Sequence, residues 1–364
     1  MGCVADLPRV CRLSSRAVDV PLSQPVHTSA GTLSSTPMVL LDLHTDDGLI
    51  GRSYLRCYTR RLLRGLWSVL EDLAELVVAK PAGPAELAAV LGAEFALPGN
   101  TGLVGLASSG IDMCAWDLAA QRAGQPLCKL LHGTPQPVPA YASVRSMAAT
   151  AAAAEAVAAA DQGYCAVKLK IGRADPAADI ATIEQVRAAV GDQVAIMVDY
   201  NQRLSVDEAL DRLPILDSLG LLWIEEPTSA DDYPGHARIA AAASTPIALG
   251  ENCWSPAAVS SMLALQACDR LVLDLTRIGG VTGWLAAAAL PVAAGMPLAN
   301  HTFPEVSIHL LATAGAPVWL ESIDHAGPIL REPLRIQDGY AVAPSTPGTG
   351  IDWDSDAVAR WLVG

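Results

Sequence analysis

Between residues 138 and 322 eight short β-rich runs alternate with seven Ala-rich stretches of helical spacing. The runs are 138–144, 166–171, 194–201, 221–226, 246–251, 271–275, 296–301 and 318–322. Strands that alternate with helices so regularly run parallel, because each crossover returns the chain to the same end of the sheet. Eight such units suffice to close a TIM-like barrel, whose functional side chains sit at the C-terminal ends of its strands. An α/β barrel without long inserts is therefore predicted.

Upstream, 15–26 and 37–53 read as strands, the second with Asp46-Asp47-Gly48 as a hairpin signal. Residues 60–79, 85–95 and 104–124 carry apolar side chains at helical spacing. The expected division is an α+β capping domain over 1–135, the barrel over 136–325, and a Pro- and Gly-rich tail, 326–364, that packs back on the cap. With 51% hydrophobic and 17% charged residues, the chain can bury a sizeable core.

Its 24 Lys and Arg face 38 Asp and Glu, a net charge of −14 that repels phosphate backbones and anionic lipid. Neither nucleic acid nor a membrane is an expected partner. The most apolar stretch, 285–299, is too short for a span and reads as a buried helix turning into a strand. Eight cysteines lie singly, with no zinc spacing. The N-terminus shows no export signal, and Asp6 stands where a myristoylation motif needs Ser or Thr. A cytoplasmic homo-oligomer is the expected form.

The strand ends carry the chemistry. Lys168 and Lys170, Asp199 and Asn201, Glu225, Glu251, Asp274, His301 and Glu321 close successive runs, 20 to 29 residues apart from Lys170 onward. Residues so spaced converge on the barrel mouth. Asp199, Glu225 and Glu251 end three neighbouring strands, and an all-oxygen set favours Mg²⁺. Strand alternation allows only one of Glu225 and Glu226 to point inward, and Glu225 is assigned as ligand. Lys168 and Lys170, at i and i+2, enter the barrel together, each lowering the other's pKa towards that of a neutral general base. Asp274 on the adjacent strand fixes the tautomer of His301 and raises its basicity. Such a set suits proton abstraction beside a carboxylate, with Mg²⁺ stabilising the enediolate, bases on both faces, and Glu321 staying protonated to donate to the oxyanion.

These residues resemble the enolase superfamily, specifically the mandelate racemase group. The motifs are Lys168-Leu-Lys170, Val198-Asp199-Tyr-Asn201, Trp223-Ile-Glu225-Glu-Pro227, Gly250-Glu251-Asn252, Asp274-Leu-Thr-Arg-Ile-Gly-Gly-Val-Thr-Gly283, Asn300-His301-Thr-Phe-Pro-Glu and Trp319-Leu-Glu321. The similarity extends into the cap through 16–26, 53–59 and 110–116. It implies a modified TIM barrel, (β/α)7β, under an α+β capping domain. It further implies Mg²⁺ on Asp199, Glu225 and Glu251, Lys170 as base for the S substrate and His301, supported by Asp274, for the R substrate. Glu321 matches the group's electrophilic acid, Lys168 and Asn201 match groups that neutralise the carboxylate or support the metal, and Ser143 matches a contact to the substrate carboxylate.

The segment Tyr54-Leu-Arg-Cys-Tyr58 overlies the active site in this group, which makes Arg56 and Tyr58 candidate substrate contacts. Arg56, Cys57 and Thr302 replace the group's apolar aryl pocket, and an Arg there favours a second anionic or strongly polar substrate group. The leading expectation is a Mg²⁺-dependent racemase or epimerase of an α-hydroxy carboxylic acid. The competing one is an acid-sugar dehydratase that uses the same enediolate. A non-catalytic binding protein is a third, weakened because no catalytic position is missing.

Overall fold

Every fourth or third residue of 60–79 is leucine or valine, and the first strands alternate, so each element has one face to bury. A computed structural model describes residues 7–28 and 31–363, so Asp6 and the first half of the segment 1–13 read for targeting lie outside the described residues. β1 (Val10–Thr28), β2 (Gly31–Thr45) and β3 (Ile50–Arg56) form an antiparallel sheet. The turn between β2 and β3 is the Asp-Asp-Gly signal, where Gly48 takes φ +86° and Asp47 accepts from Thr45 Oγ1 at 2.6 Å. α1 (Arg60–Val77) starts on the Thr59 cap and buries Leu63, Leu66, Leu70, Leu73 and Val77. α2 (Pro84–Glu94) and the largely buried α3 (Gly102–Arg122) complete this layer, and a short α4 (Leu127–Leu130) leads out of it.

The barrel follows. Its strands are β4 (Val138–Ser143), β5 (Ala166–Lys170), β6 (Ala195–Asp199), β7 (Ile224–Glu225), β8 (Ile247–Leu249), β9 (Arg270–Asp274), β10 (Leu298–His301) and β11 (Val318–Ser322). All neighbours pair in parallel, and β11 pairs with β4 through Leu320↔Ala140, which closes the ring. The helices between them are α5 (Ala149–Asp161), α6 (Pro176–Val190), α7 (Val206–Leu216), α8 (Tyr233–Ala242), α9 (Pro256–Ala264), α10 (Leu275–Ile278), α11 (Gly280–Ala293) and α12 (Pro304–Leu311). Stretch 285–299 divides between α11 and β10. This is a modified TIM barrel with a capping subdomain, as the repeat and the resemblance predict.

Two periodicities set what faces where. Val167 and Leu169 point outward into the helix layer with Ile183 and Val186, whereas Ala166, Tyr141, Met197, Trp223, Ala248, Val272 and Ala299 fill the interior. That plug, with Tyr141 edge-on to Trp223 at 5.5 Å, floors the mouth above it. The tail forms a hairpin, β12 (Ile336–Gln337) and β13 (Tyr340–Ala341), which extends β4, and ends in α13 (Ser355–Trp361). Trp353 Nε1 donates to Asp42 Oδ1 on β2 at 2.8 Å, and Val363 N–H donates to Ala17 O on β1. Among the described residues no helix is long and apolar enough to cross a membrane, and the seven described cysteines are free.

Candidate active site

Lys170, Asp199, Glu225, Asp274 and His301 each end a strand, Glu251 lies two residues past one, and the chain turns sharply at several of these ends. Asn201 (φ +45°), Glu226 (+40°) and Thr302 (+53°) hold left-handed backbone just beyond Asp199, Glu225 and His301. Such strain in residues with a side chain persists only where the surroundings enforce it, typically at functional sites. Before Glu251 the position is Gly250, at φ +129°, where a Cβ would meet Val272 O at 2.7 Å. Register then aligns the groups. Lys170, Asp199 and Glu225 share one rung, Ser143 lies beside Lys168, and His301 lies beside Asp274.

Asp199, Glu225 and Glu251 each offer a carboxylate oxygen, all within 4.8 Å of one another and all buried. Lys168 Nζ binds Glu225 Oε1 at 2.9 Å and Glu321 Oε1 at 2.8 Å, and Lys170 Nζ binds Asp199 Oδ2. Asn201 donates to both Asp199 oxygens from its backbone and side-chain nitrogens. Trp223 Nε1 donates to Glu225 Oε2 at 3.0 Å. Burial, followed by the Asp199, Glu251 and Glu321 charges against that of Lys168, pushes Glu225 up to about 7. Mutual depression of the two lysines is not what the geometry produces. Burial lowers both and the Lys168 charge lowers Lys170, but the surrounding carboxylates outweigh these effects, and Lys168 and Lys170 are raised.

His301 Nδ1 and Asp274 Oδ2 are 2.7 Å apart, and Asp274 also accepts from Thr276 and the Arg277 backbone. Despite burial, these bonds hold Asp274 at about 2, and against the lowering effect of burial Glu251 and Asp274 raise His301. His301 Nε2 faces the mouth, 3.4 Å from Tyr58 Oη and 3.6 Å from Glu251 Oε2. Glu321 departs from the expected protonated acid. It accepts from Ser143 Oγ and Thr302 N, each at 2.9 Å, besides its ion pair with Lys168. Burial raises its carboxyl, but Lys168, His301 and Lys170 carry it far below the ordinary range. It is a charged acceptor here, not a donor.

A cavity of about 440 Å³ opens over these groups, walled by Lys170, Asn201, Glu251, His301 and Glu321 on the barrel side. Arg56 and Tyr58 form part of its cap-side wall, so Arg56 faces the cavity and not solvent. Ser143 lines it as well. Sequence reasoning missed Arg145, Asn252 and His325 in the same wall. Arg145 was within reach, two residues past the end of β4, whereas His325 lies in the loop beyond β11 and carries no periodic signal. Glu226 is buried beside Glu225, its Oε1 taking a 2.6 Å bond from Asn252 Nδ2.

Residues 150–357 match the enolase C-terminal domain-like family, and residues 12–132 match the mandelate racemase / muconate lactonizing enzyme N-terminal domain. The chain belongs to the enolase superfamily. An enolase from the alpha proteobacterium bal199 with bound magnesium has a TM-score of 0.94 to it at 39% identity, over 98% of this chain and 99% of that one. An enolase from Bradyrhizobium, complexed with magnesium and mandelic acid, also gives 0.94, at 38% identity over 99% and 100%. The L-talarate/galactarate dehydratase of Salmonella typhimurium is 30% identical over 90% of this chain and 83% of its own.

The enolase-superfamily metal fits this site. The donors are all hard oxygens on three adjacent strands, and Glu251 Oε2 is buried without a hydrogen-bond partner. Three converging carboxylates repel one another, and two lysines offset this only in part. The chain is thus an enolase-superfamily enzyme with the carboxylate cluster that metal-assisted enediolate chemistry requires.

Proposed function

We propose that this enzyme dehydrates an acid sugar, removing the proton beside its carboxylate and the neighbouring hydroxyl. The observation that carries this is the cavity wall, where Arg56, Ser143, Arg145, Asn201 and Asn252 present polar groups to whatever lies beyond the reacting carbon. A phenyl ring gains little in such a wall, whereas a chain of hydroxyls finds donors and acceptors along it. Similarity to the L-talarate/galactarate dehydratase supports the reading.

In this reading Asp199, Glu225 and Glu251 hold Mg²⁺. When bound, the ion supplies positive charge to the substrate carboxylate as the α-proton departs. With Asp199 committed to the ion, Lys170 loses the carboxylate that keeps it charged. Its Nζ, as the neutral amine, takes the α-proton, while Lys168 offsets negative charge from beneath. His301, charged through its bond to Asp274, gives a proton to the departing β-hydroxyl, which leaves as water. The enol left behind becomes a 2-keto-3-deoxy acid. Glu321, bonded to Lys168, Ser143 and Thr302, holds Lys168 and Ser143 in position at the carboxylate end. Lys170 and His301 also suit two-base racemisation, and the Bradyrhizobium enolase with mandelic acid favours that second reading.

Incubation of the Mg²⁺ enzyme with a panel of acid sugars and α-hydroxy acids in D₂O separates the two. A 2-keto-3-deoxy product is expected. Deuterium at the α-carbon with loss of optical activity and no keto acid would establish the racemase instead.

A further inference from the structure

The cavity has two cationic ends, and carboxylates answer only one. At the barrel end Lys168, Lys170 and Arg277 each lie within ion-pair reach of Glu225, Asp199 or Glu251. At the cap end Arg56 is only 9% exposed, yet among the described residues its side chain makes no ion pair and donates no hydrogen bond, and its Nε is buried without a partner. Its guanidinium rests 4.1 Å from the centroid of the Tyr58 ring. A guanidinium this buried is stable only beside an anion or a set of acceptors, and a π-face answers a small part of that need.

Arg145 stands in the same wall. Its loop is fixed, since His27 N–H donates to Arg145 O at 2.8 Å and Arg145 N–H donates to Glu155 Oε2 at 2.7 Å. Its guanidinium reaches Ser23 Oγ at 2.9 Å and, among the described residues, pairs with no carboxylate. His325 completes the group, with Nδ1 3.3 Å from Thr36 Oγ1 and Nε2 buried without a partner. Burial and the Arg56 charge hold its imidazole well below the usual range, so it is neutral. In a chain of net charge −14, two cations without acids in one cavity wall reflect local construction, not composition.

We propose that Arg56, Arg145 and His325 form a second anion subsite for the distal carboxylate of the substrate, which makes the substrate a dicarboxylic acid sugar. The inference rests on the acid-sugar reading above and names which acid sugars fit. The carboxylate beside the reacting carbon goes to the barrel end, and the far one meets the guanidinium forks, whose planar donors match carboxylate oxygens. A cavity of about 440 Å³ suits one such molecule.

The test is a calorimetric titration of the Mg²⁺-loaded enzyme, in a Lys170→Ala background that does not turn ligand over. Stereoisomeric six-carbon aldarates are each compared with their own aldonate, and 6-phosphogluconate is included. The best diacid should bind on the order of 10-fold or more tighter than its monoacid. Arg56→Gln and Arg145→Gln should each bring that ratio towards one, and Arg56→Lys should keep part of it. A ratio near one without these substitutions, a ratio unchanged in both Gln variants, or tighter binding of the phosphate overturns the subsite. If the ratio holds but no acid sugar gives a keto acid with Lys170 present, the subsite stands and the dehydratase reading falls. Keto acid from monoacids alone has the reverse meaning.

Discussion

Tyr58 is where the cap touches the barrel's base. It holds φ +52°, its ring stacks parallel to His301 at 6.4 Å, and Arg56 and Arg277 both lie over its face. Its hydroxyl, 3.4 Å from Nε2, can hold the imidazole in line through the proton transfer. Tyr58→Phe keeps ring and stacking and removes only that bond, so we expect kcat to fall about 10-fold with little change in KM, as about 1.4 kcal/mol of transition-state stabilisation is lost. A raised KM at normal kcat would make Tyr58 a plain substrate contact. At this scale the sequence was informative wherever a residue ended a strand. Asp199, Glu225, Glu251, Asp274 and His301 were legible because the βα interval counts them out, and Arg145 and His325 were not because loops have no interval. The charge states of Lys170 and Glu321 also escaped sequence reasoning, since they depend on which acids and lysines lie across the barrel, not on i, i+2 neighbours.

Among elements, the contact of β3 with α3 is the tightest test of how cap and chemistry are held in register. A Cβ on Gly51 would lie 2.2 Å from Cys114 O, so the strand that ends in Arg56 lies directly on the helix. Gly51→Ala should therefore destabilise the protein by roughly 1–3 kcal/mol, seen as a lower Tm. An unchanged Tm would mean that the strand moves freely over α3. Helix α12 offers a second test, because all eight of its residues are buried. His309 accepts from Cys128 N–H at 3.2 Å and donates through Nε2 to Thr349 O at 3.1 Å, tying barrel, α4 and tail together as a neutral ring. Burial lowers it to about 4 from an ordinary 6.5. The unfolded chain thus takes up this proton first. The contribution is complete above pH 6.5 and disappears as pH falls towards 4, amounting to about 3 kcal/mol at most. Urea unfolding from pH 7 to 4 should show this slope, and His309→Gln should flatten it. The strand pattern predicted the barrel closely but gave β1 and β2 too short. That pattern begins both late, at 15 and 37, whereas the strands start at Val10 and Gly31. For β2 the cause is the register shift between the Pro21–Ser35 and Val26–Leu33 pairs, which makes the stretch before 35 look separate from the strand.

For the molecule as a whole, stability should respond to the ion that the carboxylate cluster is built to hold. Binding to the folded state alone, Mg²⁺ at 100 times its Kd adds about 2.7 kcal/mol, so Tm should climb with Mg²⁺ and fall back on chelation. Glu251→Gln should abolish that response while leaving the metal-free Tm near its starting value. A Tm indifferent to Mg²⁺ would argue against the site. The cap is also sewn from both ends of the chain, with Trp353 bonded to Asp42 across 311 residues and Val363 bonded to Ala17. A ribosome makes these partners at widely separated times. Asp42 and β1 emerge early and wait through synthesis of the entire barrel, and β4 waits likewise for β11. Until residue 363 has emerged the roof over the active site is not fully fastened. A product that stopped between Glu321 and Trp353 would have every acid and base present and the roof left unfastened, a natural target for proteolytic surveillance.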